Sequence, residues 1–206
     1  MLNGTAFMRQ PWPIGDTYQI VEKDYRGLLF TSAEQVKIIA EEGARRGWSV
    51  TAHTAGEGSM DVLLDGYEFV DRIVPIKDLR FCITHANFPS QQNLERCKRL
   101  GVVADVQPAW LYKDGHTLNH VLGKDRIRWF QPYKSWMKYT TIGGGSDHMI
   151  KLDPRKSTNP WDPWLGLETA ISRRLESGDV LVPEECLSRE EALRLYTINN
   201  AFLSRD

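Results

Sequence analysis

Cysteine is scarce in this 206-residue chain, and the spacing of the cysteines matches neither a disulfide-rich domain nor a cysteine zinc site. The three cysteines, Cys82, Cys97 and Cys186, are odd in number and contain no CxxC pair. Disulfide-rich domains and cysteine zinc sites are therefore disfavoured, because both need paired or closely spaced thiols. A chain with so few thiols is typical of a reducing compartment, so we expect a cytoplasmic location.

Long apolar runs and an excess of one charge are also missing. No stretch approaches the roughly 20 apolar residues that a membrane-spanning helix needs. The first residues, MLNGTAFMRQPWPIG, lack the basic head and apolar core of a secretory signal. The formal net charge is −1 and the basic residues are scattered. Nothing in the sequence therefore indicates binding to nucleic acid or to a membrane.

Apolar runs instead alternate with helical patterns along most of the chain. Residues 1–29 are predicted to be irregular, and residues 108–130 to form a long loop. Strands are predicted at 48–53, 80–85, 102–107 and 139–147. Helices are predicted at 32–46, 59–71, 90–100, 133–139, 164–177 and 189–203, the first and last with capping boxes. We therefore expect residues 1–206 to form one domain, with four βα units and a C-terminal helix after an irregular lead-in.

This alternation is typical of an α/β protein whose parallel sheet is covered on both faces. Two architectures fit the pattern: an open doubly wound sheet and part of a (β/α)8 barrel. An open sheet commonly has a glycine-rich phosphate loop after its first strand. Neither GxGxxG nor GxxxxGK[ST] occurs, and GGGSD lacks the lysine. A nucleotide-binding role is therefore disfavoured.

Three of the four predicted strands end in a side chain that can bind a metal ion. These residues are His53, His85 and Asp147. Parallel strands have their carboxyl ends on one side of a sheet, about 4.8 Å apart, so neighbouring strand ends can share an ion. Two imidazoles and a carboxylate suit zinc or a similar divalent metal. The alternative is that the histidines are packing residues and the aspartate caps a turn.

Other polar residues near the predicted strand ends are weaker candidates. Gln107 ends the third strand and could donate a hydrogen bond to substrate, while Arg128 could hold a substrate carbonyl or carboxylate. His116 and His120 have the i, i+4 spacing of a helical metal pair, but Thr117 replaces the glutamate of HExxH. We interpret HTLNH as a solvated or lid segment, and Arg128 as more typical of a surface ion pair.

Four segments, in order, resemble one known family. They are VTAHTAGEGSMDVLLDGYE, RFCITHANFPSQQNLERCKRLGVVADVQPAWL, TIGGGSDHMIKLDP and LSREEALRLYTINNAF. Together they are similar to the metal-dependent amidohydrolase superfamily, and within it to amidohydrolase family 3, the YtcJ-like proteins that include N-substituted formamide deformylases. The resemblance runs from about residue 27 to residue 203.

The resemblance implies a (β/α)8 barrel with a metal site at the carboxyl ends of its strands. His53 and His85 match the metal-binding histidines of the fifth and sixth strands. Asp147 matches the aspartate of the eighth strand, which binds metal and acts as general base. The implied activity is hydrolysis of a C–N bond in a small amide or formamide, with zinc or a similar divalent ion as cofactor.

The sequence departs from the family pattern in two respects. Gly56-Glu57 stands where Gly-Asp is usual, and the His-x-His pair of the first strand occurs nowhere in the chain. We therefore expect about strands five to eight of a barrel, with the N-terminal half and the terminal β-sandwich missing and two sheet edges unpaired. The alternatives are a truncated relative that binds metal or a partner without turnover, and an open-sheet ligand-binding domain. The oligomeric state is not indicated.

Overall fold

A computed structural model describes residues 1–148 and 153–206. Residues 149–152, which belong to the third family-like segment, lie outside the described residues. The chain divides into two compact units, Met1–Ala104 and Asp105–Asp206. The expectation of one domain stays a prediction.

Helices and strands alternate in the order expected for an α/β protein. The strands are β1 (Thr51–Ala55), β2 (Cys82–Asn87), β3 (Val103–Val106) and β4 (Ile142–Gly144). The helices are α1 (Ala33–Arg45), α2 (Glu57–Asp71), α3 (Gln91–Leu100), α4 (Pro108–Ile127), α5 (Tyr133–Met137), α6 (Pro163–Ser172), α7 (Arg189–Tyr196) and α8 (Ile198–Ser204). Short 3-10 turns lie at Lys77–Leu79 and Pro183–Glu185.

The strands form one parallel sheet in the order β1-β2-β3-β4. Within the first unit, the Val103 amide donates to the Phe81 carbonyl as β3 begins beside the segment that leads into β2. Within the second unit, the Gly145 amide donates to the Val106 carbonyl. Sequential strands that are neighbours and parallel need a crossover between them, and the intervening helices provide it. The predicted α/β class is confirmed.

Helix starts follow the capping chemistry read from the sequence. Ser32 and Gln35 exchange side-chain and backbone hydrogen bonds at the start of α1, and Ser188 and Glu191 do the same at α7. A third capping box, at Ser90 in front of α3, has asparagine in place of the usual Glu or Gln. Each box satisfies two backbone amides that the helix itself leaves unpaired.

The predicted loop at 108–130 is wrong, because most of it is helix α4. Pro108 ends the preceding strand, but it also occupies the first turn of the helix, where its missing amide costs nothing. Leu111, Leu118 and Leu122 are buried at helical spacing. Gly123, with φ 70°, breaks the helix late in its length. The polar stretch HTLNH hid this periodicity in the sequence.

Both outer strands have an asparagine amide bonded to the backbone of their free edge. In the first unit, Asn3 accepts from the Ala55 amide (3.0 Å) and donates to the Ala55 carbonyl (3.1 Å). In the second unit, Asn200 accepts from the Gly144 amide (3.0 Å) and donates to the Gly144 carbonyl (2.9 Å). At each edge, the asparagine side chain therefore supplies the donor and the acceptor that a backbone residue of a neighbouring strand would otherwise supply. The expectation of unpaired edges is wrong at these two positions.

A fully buried arginine organises the interior of the second unit. Arg173, with no exposed surface, donates to the carbonyls of Leu181 (2.6 Å), Gln131 (2.7 Å) and Phe130 (3.1 Å). Its guanidinium also lies over the Tyr133 ring at 5.3 Å. Burial lowers the pKa of Arg173, yet an arginine stays protonated in proteins. Three carbonyl oxygens thus depend on one buried cation.

We expect Arg173→Met to lower the free energy of unfolding by about 3 kcal/mol, because buried carbonyls would lose charged hydrogen-bond donors. The matched control is Arg174→Met, whose exposed guanidinium donates only to the Gly178 carbonyl, and it should change stability by less than about 0.5 kcal/mol. Urea unfolding followed by tryptophan fluorescence measures both. Equal midpoints for the two variants would contradict the role given to Arg173.

Candidate metal centre

Two histidine rings lie against each other in the first unit. The ring centroids of His53 and His85 are 4.4 Å apart, with an angle of 72° between the ring planes. His53 lies in the middle of β1 and His85 in the second half of β2, rather than at the last residue of each strand. His85 is 5% exposed. The two imidazoles expected to share an ion are therefore neighbours in space.

Regular strand geometry alone would keep these rings apart. His53 pairs with Thr84, and His85 pairs with Thr54. Paired residues of neighbouring strands share a face, and successive residues alternate between faces. Regular pleating would therefore direct His53 and His85 to opposite faces of the sheet.

A β-bulge in β2 resolves this conflict. The register shifts after Thr54, so that Ala55 pairs with Asn87 and Ala86 is the extra residue. His85 (φ 74°) and Ala86 (φ 50°) both have left-handed backbone conformations. A bulge bends its strand and changes the direction of a side chain. Left-handed residues other than glycine are costly and are retained where the surrounding structure holds them, often at functional sites.

The N-terminal residues hold the carboxyl end of β1. The Leu2 amide donates to the His53 carbonyl (3.2 Å), and the Phe7 amide donates to the Ala55 carbonyl (2.9 Å). Gly56 follows with φ 97°, and a Cβ there would lie 2.3 Å from the Phe7 carbonyl oxygen. Only glycine fits this turn. The lead-in expected to be irregular is thus irregular in form but packed against the strand that carries His53.

Asp147 belongs to the second unit and lies three residues beyond β4. Its φ is 50°, so it too has a left-handed backbone, and its side chain is exposed. The Asn159 amide donates to the Asp147 main-chain oxygen at 2.5 Å and approaches its carboxylate at 3.4 Å. An aspartate tolerates this conformation better than most residues. The carboxylate is held at the end of a glycine-rich segment, as the sequence suggested.

The two candidate substrate residues, also in the second unit, have different surroundings. Gln107 is buried at the start of α4, and its amide donates to the Asp105 carboxylate at 2.8 Å. Arg128 is exposed, and its guanidinium lies over the Trp129 ring at 5.0 Å. Asp105 was missed by the sequence reasoning. The signal was available, since it is the one charged residue within the short apolar strand VADV.

The donor set of the first unit fits part of a metal site. Two imidazoles in contact can supply two nitrogen ligands to one ion, which is chemistry that zinc and similar ions accept. Across residues 1–148 and 153–206, no group of three or more His, Cys, Asp or Glu side chains is arranged to hold a metal. Two imidazoles are fewer than the ligands that a zinc site uses, so the metal site stays a prediction.

The protein is therefore an α/β protein with a parallel sheet and two imidazoles in contact on adjacent strands. The chain belongs to the amidohydrolase family, whose sequence profile matches residues 1–206. The fold is a partial (β/α)8 barrel, as predicted. Within the described part of the chain, no helix is both long and apolar enough to cross a membrane.

Two curated relatives match most of this chain, and one solved structure shares its fold. The chain is 26% identical over 204 residues to the putative amidohydrolase YtcJ of Bacillus subtilis, covering 96% of this chain and 35% of that protein. It is 27% identical to the N-substituted formamide deformylase of Arthrobacter pascens, and the match covers 88% of this chain and 32% of that protein. An uncharacterized metal-dependent hydrolase from Pyrococcus horikoshii has the same fold, with a TM-score of 0.79 at 24% identity over 99% of this chain and 39% of that one. The chain therefore spans about a third of the length of the curated relatives it matches.

We expect Asn3→Asp to speed hydrogen exchange at the Ala55 amide and its neighbours. The substitution keeps the acceptor but replaces the donor with a carboxylate oxygen that faces the Ala55 carbonyl, so the strand edge loses one hydrogen bond and gains a repulsion. Hydrogen exchange followed by mass spectrometry or NMR measures the effect. Thr31→Val is the control, because the exposed Thr31 hydroxyl donates only to the Met1 carbonyl. Unchanged protection of β1 in Asn3→Asp would contradict the role of this amide.

We also expect His85→Gly to be more stable than His85→Ala. A left-handed backbone costs an alanine about 1–2 kcal/mol, and glycine adopts it freely. Both variants remove the imidazole, so their difference isolates the backbone conformation. Thermal or urea unfolding measures it. An alanine variant at least as stable as the glycine variant would contradict this expectation.

Proposed function

We propose that a full-length protein containing this sequence hydrolyses a C–N bond in a small non-peptide amide or formamide, in the cytoplasm, with a divalent metal, zinc by preference. His53 and His85 would be metal ligands. Asp147 would be both a metal ligand and the general base. Gln107 and Arg128 would contact the substrate.

The observation that carries this proposal is the contact between the His53 and His85 rings. Their centroid distance of 4.4 Å depends on a bulge and on a left-handed backbone at His85. Left-handed residues other than glycine are often retained at functional sites, and binding of one ion by both rings would give this arrangement a function. Membership of the amidohydrolase family and the similarity to a formamide deformylase support the reaction class.

Each residue has a defined chemical task in this proposal. A bound divalent ion would supply Lewis acidity and would lower the pKa of water toward about 7. The Asp147 carboxylate would accept a proton from the attacking water and later donate it to the departing nitrogen. The C–N bond breaks, and the products are a carboxylic acid, or formic acid from a formamide, and an amine.

The substrate-binding roles follow from hydrogen-bonding capacity. The Gln107 amide donates to the Asp105 carboxylate, and a side-chain amide has both donor and acceptor atoms that could hydrogen-bond a substrate. Arg128 is exposed and could approach a substrate carbonyl or carboxylate as a charged donor. Its present contact with Trp129 is a stacking contact, so binding would not require breaking an ion pair with a carboxylate seen in the structure.

A second candidate function is metal binding without turnover. Two observations favour it. The His53 and His85 rings are in contact, but no group of three possible metal ligands is found among the described residues. The two functions share the same histidines but differ in what Asp147 does. Only hydrolysis needs this carboxylate as a base.

The test is metal analysis together with activity on N-substituted formamides, using the full-length protein. We expect His53→Ala and His85→Asn each to lower bound metal, because each removes an imidazole ligand. Asparagine is chosen at position 85 since it tolerates a left-handed backbone better than alanine. Asp147→Asn should reduce kcat/KM by about 10²- to 10⁴-fold, the contribution typical of a general base.

His148→Gln is the matched control, because this exposed neighbour of Asp147 contacts the Trp161 ring at a centroid distance of 6.0 Å and has no role in the mechanism. Unchanged metal content in both histidine variants would refute the site. Metal loss in those variants without turnover in the parent, on any amide or formamide, would support the second candidate function instead.

A further inference from the structure

A polar cavity lies within the second unit, between α4 and the turn at residues 173–181. Its volume is about 320 Å³. His116, Asn119, His120 and Asp179 form its polar wall, and Leu175 and Leu181 contribute apolar surface. It shares no residue with the His53 and His85 pair or with the roles proposed for Asp147, Gln107 and Arg128.

The two histidines of the cavity are on the same side of one helix. His116 and His120 are one helical turn apart on α4, ahead of the break at Gly123. Side chains at i and i+4 are neighbours on a helix surface, with Cβ atoms about 5–6 Å apart. This is the spacing by which helical histidine pairs bind zinc. Both histidines line the cavity, so the two residues border a common space.

Asp179 orients one of these rings. Its carboxylate lies 3.2 Å from Nδ1 of His116 and accepts from the Ser177 hydroxyl at 2.8 Å. A carboxylate oxygen accepts hydrogen bonds, so Nδ1 is the nitrogen of His116 that faces Asp179. Nε2 is then the ring nitrogen that could bind an ion.

The turn that carries Asp179 is fixed against α4. The Leu175 amide donates to the Asp179 carbonyl at 2.8 Å, and Arg174 forms an antiparallel bridge with Val180. The Glu176 amide donates to the Tyr112 carbonyl at 2.9 Å, and Lys113 forms an ion pair with Glu176. The carboxylate is thus held beside the helix by contacts that do not involve either histidine.

The geometry points to a second metal site, in which His116 and His120 bind a divalent transition metal and Asp179 holds the His116 ring in place. A carboxylate that accepts from the non-coordinating nitrogen of a histidine ligand is a common feature of metal sites. Two nitrogen ligands leave open positions for water. The proposal does not require a direct ligand from Asp179, which agrees with the absence of a three-ligand group among the described residues. The His116 side chain is 65% exposed, so an ion can enter from solvent.

This inference is independent of the proposed hydrolase activity. The test therefore uses the 206-residue chain with His53→Ala and His85→Asn in place, so that the histidine pair of the first unit cannot bind the probe. Zn²⁺ alone is titrated by calorimetry, and Co²⁺ is followed by its visible absorption, which reports nitrogen coordination. We expect one ion per chain in this background.

Three substitutions and one control define the site. His116→Gln and His120→Gln should each abolish binding at the concentrations that saturate the parent. Asp179→Asn should weaken affinity by about 10- to 100-fold, as loss of an orienting partner does. Asn119→Ala, on the cavity wall between the histidines, should leave affinity unchanged. These positions are exposed, and the circular dichroism of each variant should match that of the parent.

Stoichiometric binding that persists in His120→Gln, or no binding in the parent, would overturn the proposal. Equal affinities for Asp179→Asn and the parent would overturn the orienting role of the carboxylate. Loss of binding in Asn119→Ala with its fold intact would also overturn the assignment, because the ion would then be held by a different set of atoms.

Discussion

The structure depends on how the edges of a short parallel sheet satisfy their backbone hydrogen bonds. A strand with an unpaired edge exposes amide and carbonyl groups that must bond to something. In each unit, the side chain of one asparagine supplies both a donor and an acceptor to a single residue of the outer strand. At β1, main-chain amides of the N-terminal segment add to this pairing. At these residues the edges are paired without an additional regular strand.

This edge chemistry also supports the candidate site. Asn3 and Leu2 fix the half of β1 that carries His53, and the bulge fixes the direction of His85. The rings meet where β2 has an extra residue that β1 lacks. The backbone cost of that arrangement falls on His85 and Ala86, both left-handed. Backbone strain at the histidine pair therefore occurs at the same place as the register shift.

Much of the fold could be predicted from the sequence, and the reasons are local. Capping boxes at Ser32 and Ser188 and the alternation of apolar runs with helices gave the class and the element order. Helix α4 was missed because Pro108 is ambiguous between ending a strand and starting a helix, and because HTLNH interrupts an apolar stripe. Strand periodicity likewise did not predict the bulge, which depends on tertiary contacts rather than on residue type.

The site could be predicted only as a set of residues. The sequence identified His53 and His85 as residues that could meet, but strict alternation would have separated them. Asn3 and Asp105 were not singled out, although an asparagine in an irregular segment and a charge within an apolar strand are both visible in the printed sequence. The structural role of such residues can be assigned only when their neighbours in space are known.

The extra residue at Ala86 has a consequence for how this site can vary during evolution. Replacing Ala86 by another small residue preserves the count of residues along β2. Removing it would remove the register shift after Thr54 and restore regular alternation, which directs residues 53 and 85 to opposite faces of the sheet. The contact between the two rings is therefore more vulnerable to a single-codon deletion in this strand than to most point substitutions around it.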